Sequence, residues 1–157
     1  MNLKRLFVTR LGPVNSRGFL SNPDGTDRVR RLATKLDRIH RFNNPEETIV
    51  LRTECPLGVL STENAAKWLV GSLHAKLEIK CWPELFDVRD VDAAIRLLTT
   101  EYSDFENVIV VTHEKMSGRL PHEFGRQAFS VDNFPSAPLE YGQGYFIDRD
   151  KKTCVAI

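Results

Sequence analysis

The clearest buried strand in the sequence is Val-Ile-Val-Val at residues 108–111, which runs into Thr112 and then His113. Four consecutive apolar residues without polar alternation are typical of a strand that is covered on both faces, as in a parallel sheet. A shorter run, Leu-Phe-Val at residues 6–8, leads in the same way towards Arg10. The two runs therefore predict two interior strands of one sheet.

Helical patterns alternate with the predicted strands along the chain. Residues 24–41 carry apolar side chains at spacings of three and four, which predicts an amphipathic helix. Its polar face is basic and consists of Arg28, Arg30, Arg31, Lys35, Arg38 and Arg41. The remaining predicted elements are strands at 3–9, 48–51 and 76–80, helices from 61 or 62 to 73 and from 87 to about 98, a polar loop with a short helix at 115–127, and a hairpin of 145–147 and 153–157. This alternation predicts an α/β fold, a three-layer sandwich with a mostly parallel central sheet.

Length and composition are those of one folded domain, which we expect to span residues 1–157 with a C-terminal hairpin. Hydrophobic residues make up 41% of the chain and charged residues 27%. The net charge of +1 gives no general attraction to nucleic acid, and no stretch of about 20 apolar residues is present to span a membrane. The charge is unevenly distributed, however, because residues 1–41 carry ten basic and three acidic side chains and residues 42–157 carry twelve basic and eighteen acidic ones.

The cysteines exclude a disulfide framework. There are three, they are widely spaced and no CxxC pair occurs: Cys55, Cys81 and Cys154. An odd, scattered set is typical of a protein of the reducing cytoplasm, where we expect this chain to be. The last four residues, 154–157, fit a prenylation box, but they also fit the last strand of the hairpin, and we expect neither lipidation nor a membrane partner.

Arg10 and His113 each follow a predicted strand. Ligands of open α/β sheets bind in the crevice beyond the carboxyl ends of the strands, where these two side chains are expected to converge. A guanidinium presents a planar fork of N–H donors that suits phosphate oxygens. The pair therefore predicts a site for an anionic ligand.

Three short segments resemble the motifs of a known family. The first strand ends in Arg10-Leu11-Gly12, where the family has Arg-His-Gly, and residues 55–60, Cys-Pro-Leu-Gly-Val-Leu, stand where it has Ser-Pro-Leu-x-Arg-Ala. Late in the chain an apolar strand leads to His113, as the family's strand leads to Gly-His. In the order of elements over residues 3–126 the chain resembles the histidine phosphatase (phosphoglycerate mutase-like) superfamily, in particular its short phosphohistidine phosphatase branch. The resemblance implies a phosphate pocket formed by Arg10, Gly12 and His113.

Two departures from the family's motifs argue against its chemistry. Leu11 stands where the family has the histidine that becomes phosphorylated, and a leucine side chain has no lone pair with which to attack phosphorus. Val59 stands where the family has its second arginine, so one clamp on the phosphoryl oxygens is missing. No catalytic residue can be assigned, although Glu84 or Glu114 could match the family's acid and His113 remains a candidate. We therefore expect a pseudophosphatase that binds a phosphorylated or anionic ligand, or a protein partner, through Arg10 and His113.

Two alternatives stay open. The chain could be an active phosphatase with another nucleophile, although Cys55 is followed at the required spacing by Ser61 and not by the arginine of a cysteine phosphatase loop. It could also be a protein-interaction module with a vestigial pocket and the basic helix as its contact surface. His113 and His122 lack a third metal ligand at a suitable spacing, and no nucleotide-binding motif is present, so neither a metal nor a cofactor is predicted. The sequence does not indicate an oligomeric state.

Overall fold

A computed structural model describes residues 1–10, 17, 19–53, 62–83, 88–135 and 139–157 of the chain. Within these residues the strands are β1 (Arg5–Arg10), β2 (Thr48–Arg52), β3 (Glu78–Cys81), β4 (Asn107–Thr112), β5 (Gly144–Asp148) and β6 (Thr153–Ala156). The α-helices are α1 (Asp24–Ile39), α2 (Glu63–Ser72), α3 (Val91–Thr99) and α4 (Glu114–Phe124). A 3-10 turn, Val88–Asp90, precedes α3, and a π-helical turn, Gly125–Phe129, follows α4.

All six strands belong to one sheet in the order β3-β2-β4-β1-β5-β6. Strands β1, β2, β3 and β4 run parallel, β5 is antiparallel to β1, and β6 is antiparallel to β5. The predicted α/β fold with a mostly parallel sheet is therefore confirmed. The C-terminal strands form the predicted hairpin, and they extend the sheet beyond β1.

Helices cover both faces of the sheet, and alternate strand residues point to opposite sides. Phe7 packs in the core layer beneath α1 and α2, whereas its neighbours Leu6 and Val8 pack beneath α3 and α4. In β4, Ile109 likewise faces α1 and α2 while Val108 faces the other layer. Every residue of β4 is buried, which explains the uninterrupted apolar run that predicted it.

Several boundaries differ from the sequence expectations. The segment 115–127 is not a loop with a short helix: it is mostly the eleven-residue helix α4, which buries Met116, Leu120 and Phe124 against the sheet. The helix predicted over 24–41 ends at Ile39, because His40 adopts an extended conformation (φ −158°, ψ 138°). The sequence pattern predicts Ala65, Trp68, Leu69 and Leu73 on the inward face of α2. Three of these are buried, but Trp68 is only half-buried, and Ala66 and Val70 are buried as well.

The connections create a crevice between β1 and β4. These strands are neighbours, with Arg10 opposite Thr112 at their carboxyl ends. The chain leaves β1 towards α1 on one face and leaves β4 directly into α4 on the other. Such a topological switch point is where open α/β sheets bind ligands.

Candidate functional site

Arg10 is fixed in the crevice by its own backbone. It is the last residue of β1; its N–H donates to the Gln143 carbonyl (2.9 Å), and its carbonyl accepts from the Gly142 N–H (3.3 Å). The hydroxyl of Thr9 donates to the same Gln143 carbonyl (2.8 Å). The segment before β5 therefore anchors the end of β1.

The guanidinium of Arg10 contacts the same segment. Nη1 donates a hydrogen bond to the Leu139 carbonyl (2.7 Å), and the guanidinium carbon lies 4.2 Å from the centroid of the Tyr141 ring. Nη2 lies 3.5 Å from Oε2 of Glu114. A guanidinium has five N–H donors. Within the described residues, one of these donors makes a short hydrogen bond, the one to Leu139. The guanidinium is therefore held in place while other N–H groups can still donate to a ligand.

Glu114 is a weakly held partner for that guanidinium. It is the first residue of α4, where the helix dipole favours a negative charge, and its side chain is 73% exposed. The 3.5 Å separation is longer than the roughly 2.7–2.9 Å of a strong charge-assisted hydrogen bond. A pair at this distance with one strongly exposed partner contributes little to stability, and an incoming anion can replace the carboxylate.

His113 connects β4 to α4. Its backbone is extended (φ −96°, ψ 170°), and its carbonyl accepts a hydrogen bond from the Ser117 N–H (2.9 Å). Burial lowers the pKa of the imidazole below its usual 6.5, so the ring is neutral at pH 7. A neutral imidazole offers one donor and one acceptor but no positive charge. Arg10 is therefore the cation of this pair.

Thr53, for which the sequence predicts no role, lies directly after β2 at the same edge of the sheet. Its N–H donates to the Val111 carbonyl (3.3 Å), and its own carbonyl accepts from both the N–H and the hydroxyl of Thr62. The Thr53 hydroxyl is fully buried and makes no hydrogen bond with the described residues. A threonine after a strand is too common to have indicated this position.

The space beneath Arg10 is too small for a ligand. A cavity of about 10 Å³ lies between the strand ends and the inward faces of α1 and α2, with Thr9, Val29 and Val111 among its lining residues. This volume holds about one water molecule. Within the described residues, the contact of the guanidinium that an oxyanion could replace is the one with Glu114.

Of the predicted site residues, the structure brings Arg10 and Glu114 into contact, and His113 directly follows Thr112, the register partner of Arg10. Leu11, Gly12, Val59 and Glu84 lie outside the described residues, as does Cys55, so their roles stay predictions. The segment 139–143 that holds Arg10 was not predicted to take part. It follows Arg10 by some 130 positions, and no local sequence signal relates the two.

The described residues also bear on the metal, lipid and membrane predictions. No group of three His, Cys, Asp or Glu side chains there could hold a metal ion. Cys154 pairs with Ile147 inside the β5–β6 hairpin, and burial raises the pKa of its thiol to about 12. Attachment of a lipid would require this thiol to leave the sheet. No helix in the described part of the chain is long and apolar enough to cross a membrane.

Comparisons with known proteins identify the architecture. No family model and no curated protein sequence matches the chain, but solved structures do. The protein histidine phosphatase SixA, solved with tungstate, matches with a TM-score of 0.64 over 98% of this chain and 94% of its own, at 16% identity. The fold is that of the histidine phosphatases.

Other proteins of the histidine phosphatase fold agree with this match. A protein assigned as phosphohistidine phosphatase SixA from Nakamurella multipartitia gives a TM-score of 0.62 at 17% identity, covering 92% of this chain and 83% of its own. Phosphoglycerate mutase from Plasmodium falciparum gives 0.55 at 14% identity, covering 98% and 88%. The predicted phosphoglycerate mutase-like architecture is confirmed. Identities this low show the fold alone, so the chemistry of the site has to be argued from its residues.

Proposed function

We propose that this chain is a non-catalytic domain with the histidine phosphatase fold, and that it binds a phosphorylated or other oxyanionic ligand through Arg10. One observation carries the proposal. The Arg10 guanidinium is held at the switch-point crevice by Leu139 and Tyr141, while the anion that faces it is the exposed and loosely bound carboxylate of Glu114.

The absence of phosphohistidine chemistry follows from residue types. If Leu11 occupies the place of the nucleophilic histidine, no covalent phosphoenzyme can form there. If Val59 occupies the place of the second arginine, charge that builds up on the phosphoryl oxygens in the transition state is less well stabilised. His113, which is neutral at pH 7, can still donate one hydrogen bond to a bound oxygen.

Oxyanion binding rests on the geometry of Arg10. A tetrahedral oxyanion can accept from two N–H groups of one guanidinium, whereas Glu114 makes only one long contact. The solved SixA complex contains tungstate, a tetrahedral dianion. We therefore choose tungstate as the probe for this chain. The cytoplasmic location proposed from the scattered cysteines fits a phosphorylated intracellular ligand.

Hydrolysis of 4-nitrophenyl phosphate tests the non-catalytic part of the proposal. We expect no turnover above the uncatalysed rate between about pH 5 and pH 9. Turnover that disappears in His113→Ala would favour the alternative of an active phosphatase with another nucleophile. His122→Ala is the matched control, because His122 lies on the far part of α4 and stacks on Phe134.

A thermal shift with tungstate tests the binding part. At 100 times its Kd, a ligand specific to the folded state adds about 2.7 kcal/mol to the free energy of unfolding, which raises Tm by several degrees in a domain of this size. We expect this rise in the wild type and its loss in Arg10→Lys, which keeps the charge but loses the planar fork. A wild type without any rise would instead favour an interaction module with a vestigial pocket.

A further inference from the structure

The exposed face of α1 carries a row of cations that the crevice does not explain. Arg31, Lys35 and Arg38 follow one another at spacings of four and three, so they lie on one face of the helix. All three are exposed, and none makes a hydrogen bond or ion pair with the residues that the structure describes. We call these three residues the basic stripe. Arg41, also exposed, continues it beyond the end of the helix.

The helix α1 has three acidic residues, and none of them forms an ion pair with the basic stripe. Asp37 lies within the same turns as the stripe, but it makes no ion pair with the described residues. Asp24 accepts a hydrogen bond from Arg28 (3.0 Å), and Asp27 accepts one from Arg30 (3.1 Å). Both pairs lie in the first two turns of the helix. Since like charges one turn apart repel each other, the following two turns carry a destabilising arrangement that an acidic partner would relieve.

A cleft adjoins the basic stripe. It measures about 570 Å³ and lies between α1 and α2, lined by Arg30, Thr34, Asn64, Lys67, Trp68, Gly71, Ser72 and His74. The Arg30 guanidinium covers the half-buried Trp68 ring at 5.1 Å from its centroid. Gly71 faces open space, since a Cβ added there would meet nothing within 4 Å. Thr34 lies one helical turn from Arg38, which places the cleft directly beside the stripe.

We propose that the basic stripe and this cleft together dock an acidic segment of a partner polypeptide. Carboxylates of the segment pair with Arg31, Lys35 and Arg38, and an apolar or aromatic side chain enters the cleft against Trp68. Lys67 also lies at the rim of the cleft, where it pairs with Glu63 (3.0 Å). The surface does not include Arg10, so this proposal is independent of the proposed function of the crevice.

A polypeptide fits this surface better than a nucleic acid or a membrane does. The chain has a pI of about 7.8, and residues 42–157 carry a net −6, which repels a long polyanion beyond the stripe. Trp68 is the one Trp, Tyr or Phe among the residues that line the cleft, so the cleft offers a single ring and not a row of rings for successive bases. A membrane-binding helix would direct its apolar face to the lipid, but α1 buries its apolar face, including Leu32 and Leu36, against the sheet.

The test uses a fluorescein-labelled peptide that has four glutamates on each side of one phenylalanine. Its binding to the protein is measured by fluorescence anisotropy. We expect saturable binding that weakens as salt increases. The triple variant Arg31→Gln, Lys35→Gln, Arg38→Gln keeps good helix formers and should lose affinity about tenfold or more. The matched control, Arg126→Gln, Lys151→Gln, Lys152→Gln, removes three exposed charges elsewhere and should bind like the wild type.

Other results would overturn the proposal. They are absence of peptide binding to the wild type, equal affinity of the triple variant and the wild type, and tighter binding of a single-stranded RNA or of phosphatidylserine vesicles than of the peptide. A salt-sensitive dimer in ultracentrifugation that the triple variant abolishes would assign the surface to a second copy of the chain instead. None of these results depends on tungstate binding, which is measured separately at Arg10.

Discussion

Arg10 combines a structural role with the proposed binding role in one side chain. Its bond to the Leu139 carbonyl fastens the segment before β5 to the end of β1, and its contact with Tyr141 shields one face of the guanidinium. The remaining edge faces Glu114. A ligand that takes the place of Glu114 would therefore meet a guanidinium whose orientation is already fixed, which reduces the entropy cost of binding.

Glu114 should compete with an oxyanion for Arg10. Replacement of Glu114 with Gln removes the negative charge at 3.5 Å from the guanidinium, so we expect the tungstate affinity to rise about two- to fivefold, in line with the small free energy of an exposed pair. Calorimetric titration measures the change. Glu123→Gln, on the same helix but paired with Arg126, is the control and should leave the affinity unchanged. A weaker affinity in Glu114→Gln would show that the carboxylate assists binding and does not oppose it.

Leu11 and Val59 should control whether the fold can catalyse. The double variant Leu11→His, Val59→Arg returns the two side chains that the family's motifs require, and we expect measurable hydrolysis of 4-nitrophenyl phosphate together with a transient phosphoprotein. Intact-mass spectrometry after quenching detects the phosphoprotein. The single variants should be inactive, since each lacks one of the two groups. A folded double variant without hydrolysis would contradict the proposed correspondence of these positions to the family's motifs.

At the level of elements, the close packing of β5 against β1 shapes the crevice. Gly144 begins β5 opposite Thr9, and a Cβ there would lie less than 3.0 Å from atoms of the Phe7 ring and from the Val8 carbonyl oxygen. A Cβ added to Gly71 in α2, by contrast, would meet no atom within 4 Å. The two glycines therefore allow a matched comparison.

Gly144→Ala should lower the free energy of unfolding by about 1–3 kcal/mol, because the methyl group overpacks a rigid strand pair. Gly71→Ala should raise it by up to about 1 kcal/mol, because alanine favours the helix and restricts the unfolded chain. Urea denaturation gives both values. Similar stabilities of the two variants would contradict the packing described for β5.

The elements themselves could largely be predicted from sequence, because apolar periodicity is a local signal. The buried apolar run predicted β4, and the helical spacing of apolar residues predicted α1, each close to its observed bounds. The length of α4 is harder to predict, because Pro121 and polar residues interrupt the apolar spacing of this helix. Its apolar side chains are nevertheless buried in the core. Predictions of this kind fail where long-range contacts override local signals.

The site could be predicted only in part for the same reason. Arg10 ends β1 and His113 follows β4, so both residues lie at the strand ends where the sequence predicts a ligand site, and their part in binding stays a prediction. The contacts of Arg10 with Leu139 and Tyr141 depend on β5 returning antiparallel beside β1, which local patterns do not specify. The approach of Glu114 likewise depends on α4 beginning at this residue, whereas the sequence pattern predicts a polar loop with a short helix over 115–127.

On the scale of the whole molecule, the near-zero net charge conceals a separation of charge. The basic first quarter of the sequence supplies both Arg10 and the outer face of α1, while the acidic remainder forms the rest of the molecule. The two basic features differ in setting. Arg10 is a partly buried cation at the strand ends, whereas the three side chains of the basic stripe are exposed.

Stability should fall as the pH decreases below about 6.5. Burial lowers the pKa of His113 and, with help from Arg5, that of His40, so the folded chain binds fewer protons than the unfolded chain in this range. Full stability is therefore expected above the unfolded-state value of 6.5 and is progressively lost below it. Urea denaturation at about pH 7.5 and pH 5.5 should show a smaller loss in His113→Gln than in the wild type. An equal loss in both would show that His113 titrates normally in the folded chain.

The central claim, that Arg10 holds an oxyanion in the crevice, is tested most directly by anomalous diffraction at the tungsten edge from crystals grown with tungstate. The account predicts an anomalous peak within hydrogen-bonding distance of the Arg10 guanidinium, with the carboxylate of Glu114 displaced from its place 3.5 Å away. A crevice without tungsten, with Glu114 still facing Arg10 at saturating tungstate, would contradict it.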